Sequence, residues 1–230
     1  MDNDMILTYK EGVFVNQKII SDKVKKNNSY LVAKRVLDVV ASFLMLIFAL
    51  PVFLIIIALI YLEDGNKAIY KQKRIGKNGK TINIYKFRSM VINAEEELKE
   101  MLKDEKNRIE WQTYQKFTND RRITKIGKVL RKTSLDELPQ LFNVLAGDMS
   151  FIGPRPLVAG ELDDHNGNHD KYESVTPGIT GWWASHGRSD TTYDERLELE
   201  YYYIDNLSFA LDVKCFFATL KAIFLRKGAK

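Results

Sequence analysis

From Val36 to Leu62 the sequence runs 27 residues with Asp38 as the only charged side chain. A run well beyond about 18 apolar residues enters lipid rather than a soluble core. It does not read as a secretory leader: the 35 residues before it are mostly polar, its apolar stretch is too long, and no small-residue cleavage site follows. The anchor is therefore expected to stay attached. Pro51 near the middle deletes a backbone hydrogen bond and kinks the helix. Lys34 and Arg35 precede the segment, while Lys67, Lys71, Lys73 and Arg74 follow it, so positive charge draws both ends to the cytoplasmic side. Two topologies compete, a re-entrant helix hairpin and a single kinked, tilted span; the hairpin satisfies the charge rule at both ends. Asp38 is expected near the entry interface beside Lys34 or Arg35, because an unpaired carboxylate deep in hydrocarbon costs several kcal/mol.

The remaining chain divides into a polar N-terminal extension over 1–30, with a short strand signal from Met5 to Val15, the membrane segment over 31–64, and a cytosolic body over 65–230. One cysteine, Cys215, set among Val213, Phe216 and Phe217, forms no internal disulfide and reads as a buried thiol in a reducing compartment. The net charge of +5 favours anionic partners such as lipid headgroups, nucleotides or nucleic acid.

Lys67 to Met90 alternates around Asn78-Gly79 and reads as a β-hairpin. Its Gly79-Lys80-Thr81 is not a Walker A loop, since Arg74 stands where that motif needs its first glycine. Asn93 to Lys116 has the spacing of one amphipathic helix, and Ile126, Val129 and Leu130 mark a shorter one. A helix from Ser134 to Leu145, a turn at Gly147-Asp148, the Gly153-Pro154-Arg155-Pro156 corner and a glycine-rich loop from Pro177 to Asp190 follow. Helices are expected over Asp194 to Asn206 and Phe209 to Arg226. On the last, Phe209, Val213, Phe216, Phe217, Leu220 and Phe224 share a face opposed by Lys214 and Lys221, which suits either the membrane interface or a core contact. The fold class is mainly α with a small β-hairpin: a single domain with an N-terminal re-entrant membrane helix hairpin and interfacial amphipathic helices.

The chemistry-bearing stretch is RKTSLDELPQLFNVLAGDMSFIGPRP, from Arg131 to Pro156. Ser134 followed by Glu137 before an apolar run is a capping box, and on that reading Asp136 and Glu137 only complement a helix dipole. The same position suits a carboxylate held ionised as a nucleophile or metal ligand, with adjacent acids dividing the two roles. Lys86, Arg88, Arg131, Arg155 and Arg188 lie at turns and element ends, where they can meet phosphate groups. Acids, arginines and a membrane together point to phosphoryl chemistry on a lipid, with magnesium bridging the acidic site and a diphosphate. His165 and His169 stand beside Asp163, Asp164 and Asp170, but the intervening Asn166-Gly167-Asn168 favours a loop over a metal site. His186, next to Gly187-Arg188, is the histidine better placed to line a substrate pocket.

KRVLDVVASFLMLIFALP, QKRIGKNGKTINIYKFRSM, ITKIGKVLRKTSLDELPQLFNVLAGDMSFIGPRP and TPGITGWWASHGRSD, in that order, resemble the consecutive blocks of the bacterial sugar transferases, the monotopic polyprenyl-phosphate hexose-1-phosphate transferases. The resemblance covers Lys34 to Arg226. It implies a phosphoglycosyl transferase that moves a hexose 1-phosphate from a UDP-sugar to polyprenyl (undecaprenyl) phosphate and releases UMP. It places the catalytic body on the cytoplasmic face of the inner membrane, at the first membrane step of exopolysaccharide, capsule or O-antigen synthesis. By the same resemblance Asp136 attacks the sugar-linked phosphate, Glu137 helps hold Mg2+, and Lys86, Arg131, Arg155 and Arg188 match basic positions of the family site; with Arg88, placed by its position alone, these are the expected substrate contacts. The HGRSD block and tandem tryptophans lean toward galactose or glucose. Two departures stand out: Leu50 precedes Pro51 where many relatives carry a small or polar residue, and Trp183-Ala184-Ser185-His186 differs from the commoner W-x-V-x-G pattern.

The partners implied are polyprenyl phosphate, a UDP-sugar and the membrane, with room for a homodimer and for downstream glycosyltransferases, and no nucleic acid. A recognition helix and a zinc finger are both missing from the sequence, and its basic residues scatter among acidic ones. The competing class is a non-catalytic membrane adaptor whose basic surface binds acidic lipid or a partner enzyme.

Overall fold

The computed structural model describes residues 28–114, 117–165, 167–187 and 191–224. The strand signal at Met5 to Val15 and the site candidate Arg188 lie outside these residues. Helix α1 (Asn28–Asp64) is one element of 37 residues with Pro51 inside it, about 55 Å of chain at 1.5 Å per residue. It is long and apolar enough to cross a membrane. Phe48 and Leu62 are each 79% exposed, and Val36, Phe43, Leu54 and Ile55 are more than half exposed. Such exposed apolar side chains are costly to leave in water, at about 25 cal/mol per Å² of apolar surface.

Strands β1 (Ile69–Ile75) and β2 (Thr81–Phe87) form the expected hairpin. Asn78 and Gly79 take the left-handed conformation, φ 57 and 71, that an Asn-Gly turn favours. The chain packs as two compact units. One comprises α1 up to Met45, Lys73–Ile84 and the chain from Leu141 on; the other comprises Leu46–Gln72 and Tyr85–Gln140.

In the first unit, α5 (Gln140–Ala146) is followed by β3 (Ser150–Ile152), which pairs in parallel with β4 (Gly178–Thr180). Contact here is too close for side chains: a Cβ on Gly153 would lie 2.5 Å from Thr176 O, and one on Gly181 2.2 Å from Gly153 O. Helices α6 (His169–Tyr172), α7 (Trp182–His186), α8 (Tyr193–Asp205) and α9 (Phe209–Phe224) complete the unit. Leu157, Leu162, Tyr172, Leu197 and Ile204 form one buried cluster; Ile82, Ile84, Val144 and Met149 form another. A capping box of Thr192 and Glu195 starts α8.

The charged entry to α1 differs from expectation. Asp38 is buried and pairs with neither Lys34 nor Arg35; its Oδ1 accepts the Phe151 N–H at 3.1 Å. Lys34 Nζ lies 2.6 Å from Asp212 on α9, an acid that Tyr203 OH also meets at 2.7 Å. Arg35 donates to Val144 O and, at 2.9 Å, to Leu145 O, capping the carbonyl end of α5. A backbone donor is a better partner for Asp38 than a long cationic chain, because its geometry is already fixed by β3. On α9, Leu211 and Cys215 point inward while Phe209, Phe216 and Phe217 are 58%, 50% and 63% exposed.

The second unit buries Phe53, Ile56, Ile60, Ala68, Phe87 and Leu130. The single helix expected over Asn93 to Lys116 is two, α2 (Ala94–Met101) and α3 (Glu105–Tyr114). Asp104 explains the break, since its carboxylate accepts Asn107 N–H at 3.1 Å and starts a new helix. Thr124 caps α4 (Lys125–Thr133) through Gly127 N–H, and Glu63 accepts Lys125 N–H at 2.8 Å. Asp120 and Arg122 form a buried bidentate pair at 2.9 and 2.7 Å, with the guanidinium 5.1 Å from the Trp111 ring and 5.4 Å from Phe117.

Candidate active site

The acidic pair lies on a short turn, not at the start of the helix expected from Ser134. Ser134 ends α4 in a left-handed conformation, φ 56, and its side chain caps nothing. Leu135–Glu137 is a 3-10 turn, and α5 begins at Gln140. Pro139 is the reason: it has no N–H to bond back to Leu135, so the segment tightens into i to i+3 bonds, Glu137 N to Ser134 O at 3.3 Å and Leu138 N to Leu135 O at 3.2 Å. Freed from capping, the Glu137 carboxylate turns to Lys86 at the end of β2, with Nζ 2.8 Å from Oε1.

Arg131, in the last turn of α4, donates from Nε to Ser89 Oγ at 2.9 Å. Helix α4 comes this close to the Ser89 backbone because residue 127 is glycine; a Cβ there would sit 2.0 Å from Ser89 O. Burial, followed by the neighbouring Glu137 charge, pushes the Asp136 carboxyl above the usual aspartate range, while Lys86 and Arg131 pull it down. The carboxyl is set by burial and by its charged neighbours, not by the start of a long helix. A less acidic carboxyl gives a more nucleophilic oxygen when it does ionise.

Arg88 is fully engaged elsewhere. Its Nη1 and Nη2 grip the Asp64 carboxylate, the latter at 2.6 Å, and its Nε donates to Lys67 O at 2.8 Å. The second unit thus assembles Lys86, Arg131, Asp136 and Glu137, with Arg88 beside them as a clamp on the end of α1.

Arg155 belongs to the first unit. Its side chain is exposed, with the guanidinium 5.8 Å from the Trp183 ring centroid and without an ion pair among the described residues. Trp183 Nε1 donates to Thr191 Oγ1 at 2.8 Å, and Trp182 stacks on His186 at 3.8 Å. Beneath this surface lie Glu161, Arg196, Glu200 and Tyr172, which sequence reasoning missed. One signal was available: Glu200 stands between Leu197 and Ile204 at helical spacing, an acid on an apolar face.

No group of three His, Cys, Asp or Glu arranged for a metal occurs among the described residues. His169 instead bonds Asp163 at 2.8 Å and Glu173 at 2.9 Å, and His165 stacks on Tyr193. Magnesium, however, is commonly held by one or two carboxylates plus substrate phosphates. Adjacent Asp136 and Glu137, the latter with one oxygen not taken by Lys86, fit that requirement.

The chain thus combines one helix long and apolar enough to cross a membrane with a cluster of acidic and basic side chains suited to phosphate groups. The model of the bacterial sugar transferases matches residues 29–226, so the chain belongs to that family. It is 42% identical over 234 aligned positions to the undecaprenyl-phosphate galactose phosphotransferase of Salmonella typhimurium, covering 99% of this chain and 47% of that protein. It is 40% identical over 199 positions to the exopolysaccharide production protein ExoY of Sinorhizobium fredii, covering 86% and 88%. Over 207 positions it is 37% identical to the UDP-N-acetylgalactosamine-undecaprenyl-phosphate N-acetylgalactosaminephosphotransferase of Aeromonas hydrophila, covering 87% and 46%. The chain thus spans about half the length of the Salmonella and Aeromonas relatives and most of ExoY.

Proposed function

We propose that this chain transfers a sugar 1-phosphate, a hexose 1-phosphate in the simplest case, from a UDP-sugar to undecaprenyl phosphate and releases UMP. The observation that carries the proposal is the turn holding Asp136 and Glu137 against Lys86, with Arg131 close enough to act on the Asp136 charge. The names of the relatives, which pair undecaprenyl phosphate with galactose or N-acetylgalactosamine phosphate transfer, support the substrate class.

The transfer runs in two steps. An Asp136 carboxylate oxygen attacks the sugar-linked phosphorus, the bond to UMP breaks, and UMP leaves with the electron pair. An oxygen of the lipid phosphate then attacks the same phosphorus, and the Asp136 oxygen departs as carboxylate. Splitting the reaction this way lets a water-soluble donor and a membrane lipid use one site in turn. Lys86 and Arg131 balance charge on the transferred phosphoryl group. Glu137 would help hold magnesium, which would supply charge neutralisation on the donor phosphates.

The anchor enters and leaves on the cytoplasmic side as a re-entrant helix. What supports this reading is the positive charge at both ends of the apolar run, Lys34 and Arg35 before it and Lys67, Lys71, Lys73 and Arg74 after it. The exposed phenylalanines of α9 lie in the membrane interface, with Lys214 toward the headgroups. The experiment is direct: membranes carrying the chain are incubated with magnesium, undecaprenyl phosphate and a panel of UDP-sugars. UMP release with one of them, requiring the lipid for continued turnover, is expected. Absence of UMP release with every donor contradicts the proposal.

A further inference from the structure

Arg155 sits between two prolines, and both of its backbone polar groups are held by buried side chains. Glu200 Oε1 accepts the Arg155 N–H at 3.0 Å, and Tyr172 OH donates to the Arg155 carbonyl at 3.0 Å. Glu200 and Tyr172 are 1% and 5% exposed. The guanidinium they carry is nonetheless exposed, beside Trp183. The same ring is approached by Arg196, 4.9 Å from its centroid, and Arg196 Nη1 is fixed by Glu161 at 2.9 Å. Glu200 Oε2 and Arg196 Nε and Nη2 are buried without a hydrogen-bond partner. A buried carboxylate costs more than the leucine its helical position would otherwise suit. Here one oxygen of that carboxylate accepts the Arg155 peptide N–H.

We propose that Glu200 is a positioning residue: with Tyr172 it locks the Arg155 peptide so that the guanidinium and the Trp183 ring form a preformed grip for the phosphates of a nucleotide. That the nucleotide is a uridine diphosphate rests on the function proposed above. A rigid grip loses less freedom when it closes on phosphate than a mobile arginine does. Burial pushes the Glu200 carboxyl up to about 7, against the Arg155 N–H and the charges of Arg196 and Arg155. The other groups around it do not titrate in this range: the Tyr172 hydroxyl is raised well above its ordinary value, and the Cys215 thiol is pushed up to about 12. Near neutrality Glu200 therefore passes from a charged acceptor to a weaker neutral one as pH falls.

The test uses the purified full chain, with UDP as the binding probe in titration calorimetry from pH 6 to 8, and kcat and KM for the UDP-sugar that is turned over. Wild type is expected to bind UDP more weakly at pH 6 than at pH 8. Glu200→Gln keeps an acceptor oxygen but not the charge, so its ratio to wild type narrows as pH falls, which also cancels the titration of UDP itself. Glu200→Leu, which suits the apolar face, is expected to raise Kd and KM about tenfold at pH 8 with kcat much less affected, the scale of one lost charge-assisted hydrogen bond. A Gln variant that follows the wild-type pH profile, or a folded Leu variant that binds UDP as wild type does, overturns the inference while leaving the function intact. Failure of wild type to bind UDP and release UMP overturns both.

Discussion

Lys86 Nζ stands 2.8 Å from Glu137 Oε1, one residue along the turn from Asp136. Both side chains are about one-third exposed, so the pair adds little to stability, roughly 0–1 kcal/mol. Its consequence is electrostatic, because Lys86 is one of two cations opposing the rise of the Asp136 pKa.

Lys86→Met should therefore leave the melting temperature nearly unchanged and lower kcat by about 100-fold, the scale of losing one charge contact to a developing phosphoryl transition state. With the lysine gone the Asp136 pKa rises further, and activity that needs the carboxylate is lost at a higher pH on the acid side. The pH profile of kcat/KM measures this; an unmoved acid limb shows that Lys86 does not act on Asp136.

Gly127→Ala places a methyl group 2.0 Å from Ser89 O, a backbone atom that cannot swing away. Overpacking of this kind costs about 1–3 kcal/mol. Helix α4 should be displaced from Ser89, loosening Arg131 as well, so thermal denaturation and activity should fall together. Retention of both shows that the contact relaxes freely.

Asp120→Asn breaks a buried ion pair and strands the Arg122 charge, at a cost of about 3–5 kcal/mol in denaturant unfolding. Burial opposes ionisation of Asp120, but the Arg122 hydrogen bonds outweigh it and hold the carboxyl below 3.8. A depressed folded pKa gives stability that is present above the unfolded value and is lost as pH falls through the folded one. Wild type should therefore lose this contribution below about pH 4, and the variant should show a flatter acid limb there.

Phe217→Ser removes an exposed aromatic ring from α9 without opening the core, where Cys215 and Leu211 pack. Stability should stay within about 0.5 kcal/mol. Membrane retention in high salt should decrease if α9 lies in the interface, and a Phe216→Ser/Phe217→Ser double variant should lose more. Unaltered retention removes α9 from the membrane contact.

Legibility in the sequence followed the reach of each signal. The apolar run that became α1 and the Asn78-Gly79 hairpin were readable because their causes are local. The amphipathic pattern over Phe209 to Arg226 gave α9, within the described residues, but left open whether its phenylalanines face a core or the outside; Phe209, Phe216 and Phe217 are exposed. Strands β3 and β4 are three residues each, too short for an alternating pattern, and are set by glycines that permit backbone contact across about 25 intervening residues. The Ser134 helix failed because a capping signature five residues ahead of Pro139 was weighed without the hydrogen bond that proline removes. At the site, residue types were legible but their contacts were not: Arg88 grips Asp64, and Glu200 and Tyr172, hidden within α8 and α6, hold the Arg155 backbone through contacts that no spacing announces.

The central claim is that Asp136 bonds covalently to phosphorus. Intact-protein mass spectrometry after brief incubation with the UDP-sugar and magnesium, without lipid acceptor, reads it directly. The expected result is a mass increase of one sugar phosphate on Asp136, absent in Asp136→Asn and discharged on adding undecaprenyl phosphate. An Asp136→Asn protein that still transfers sugar phosphate at the wild-type rate, or an adduct mapped to another residue, contradicts the account.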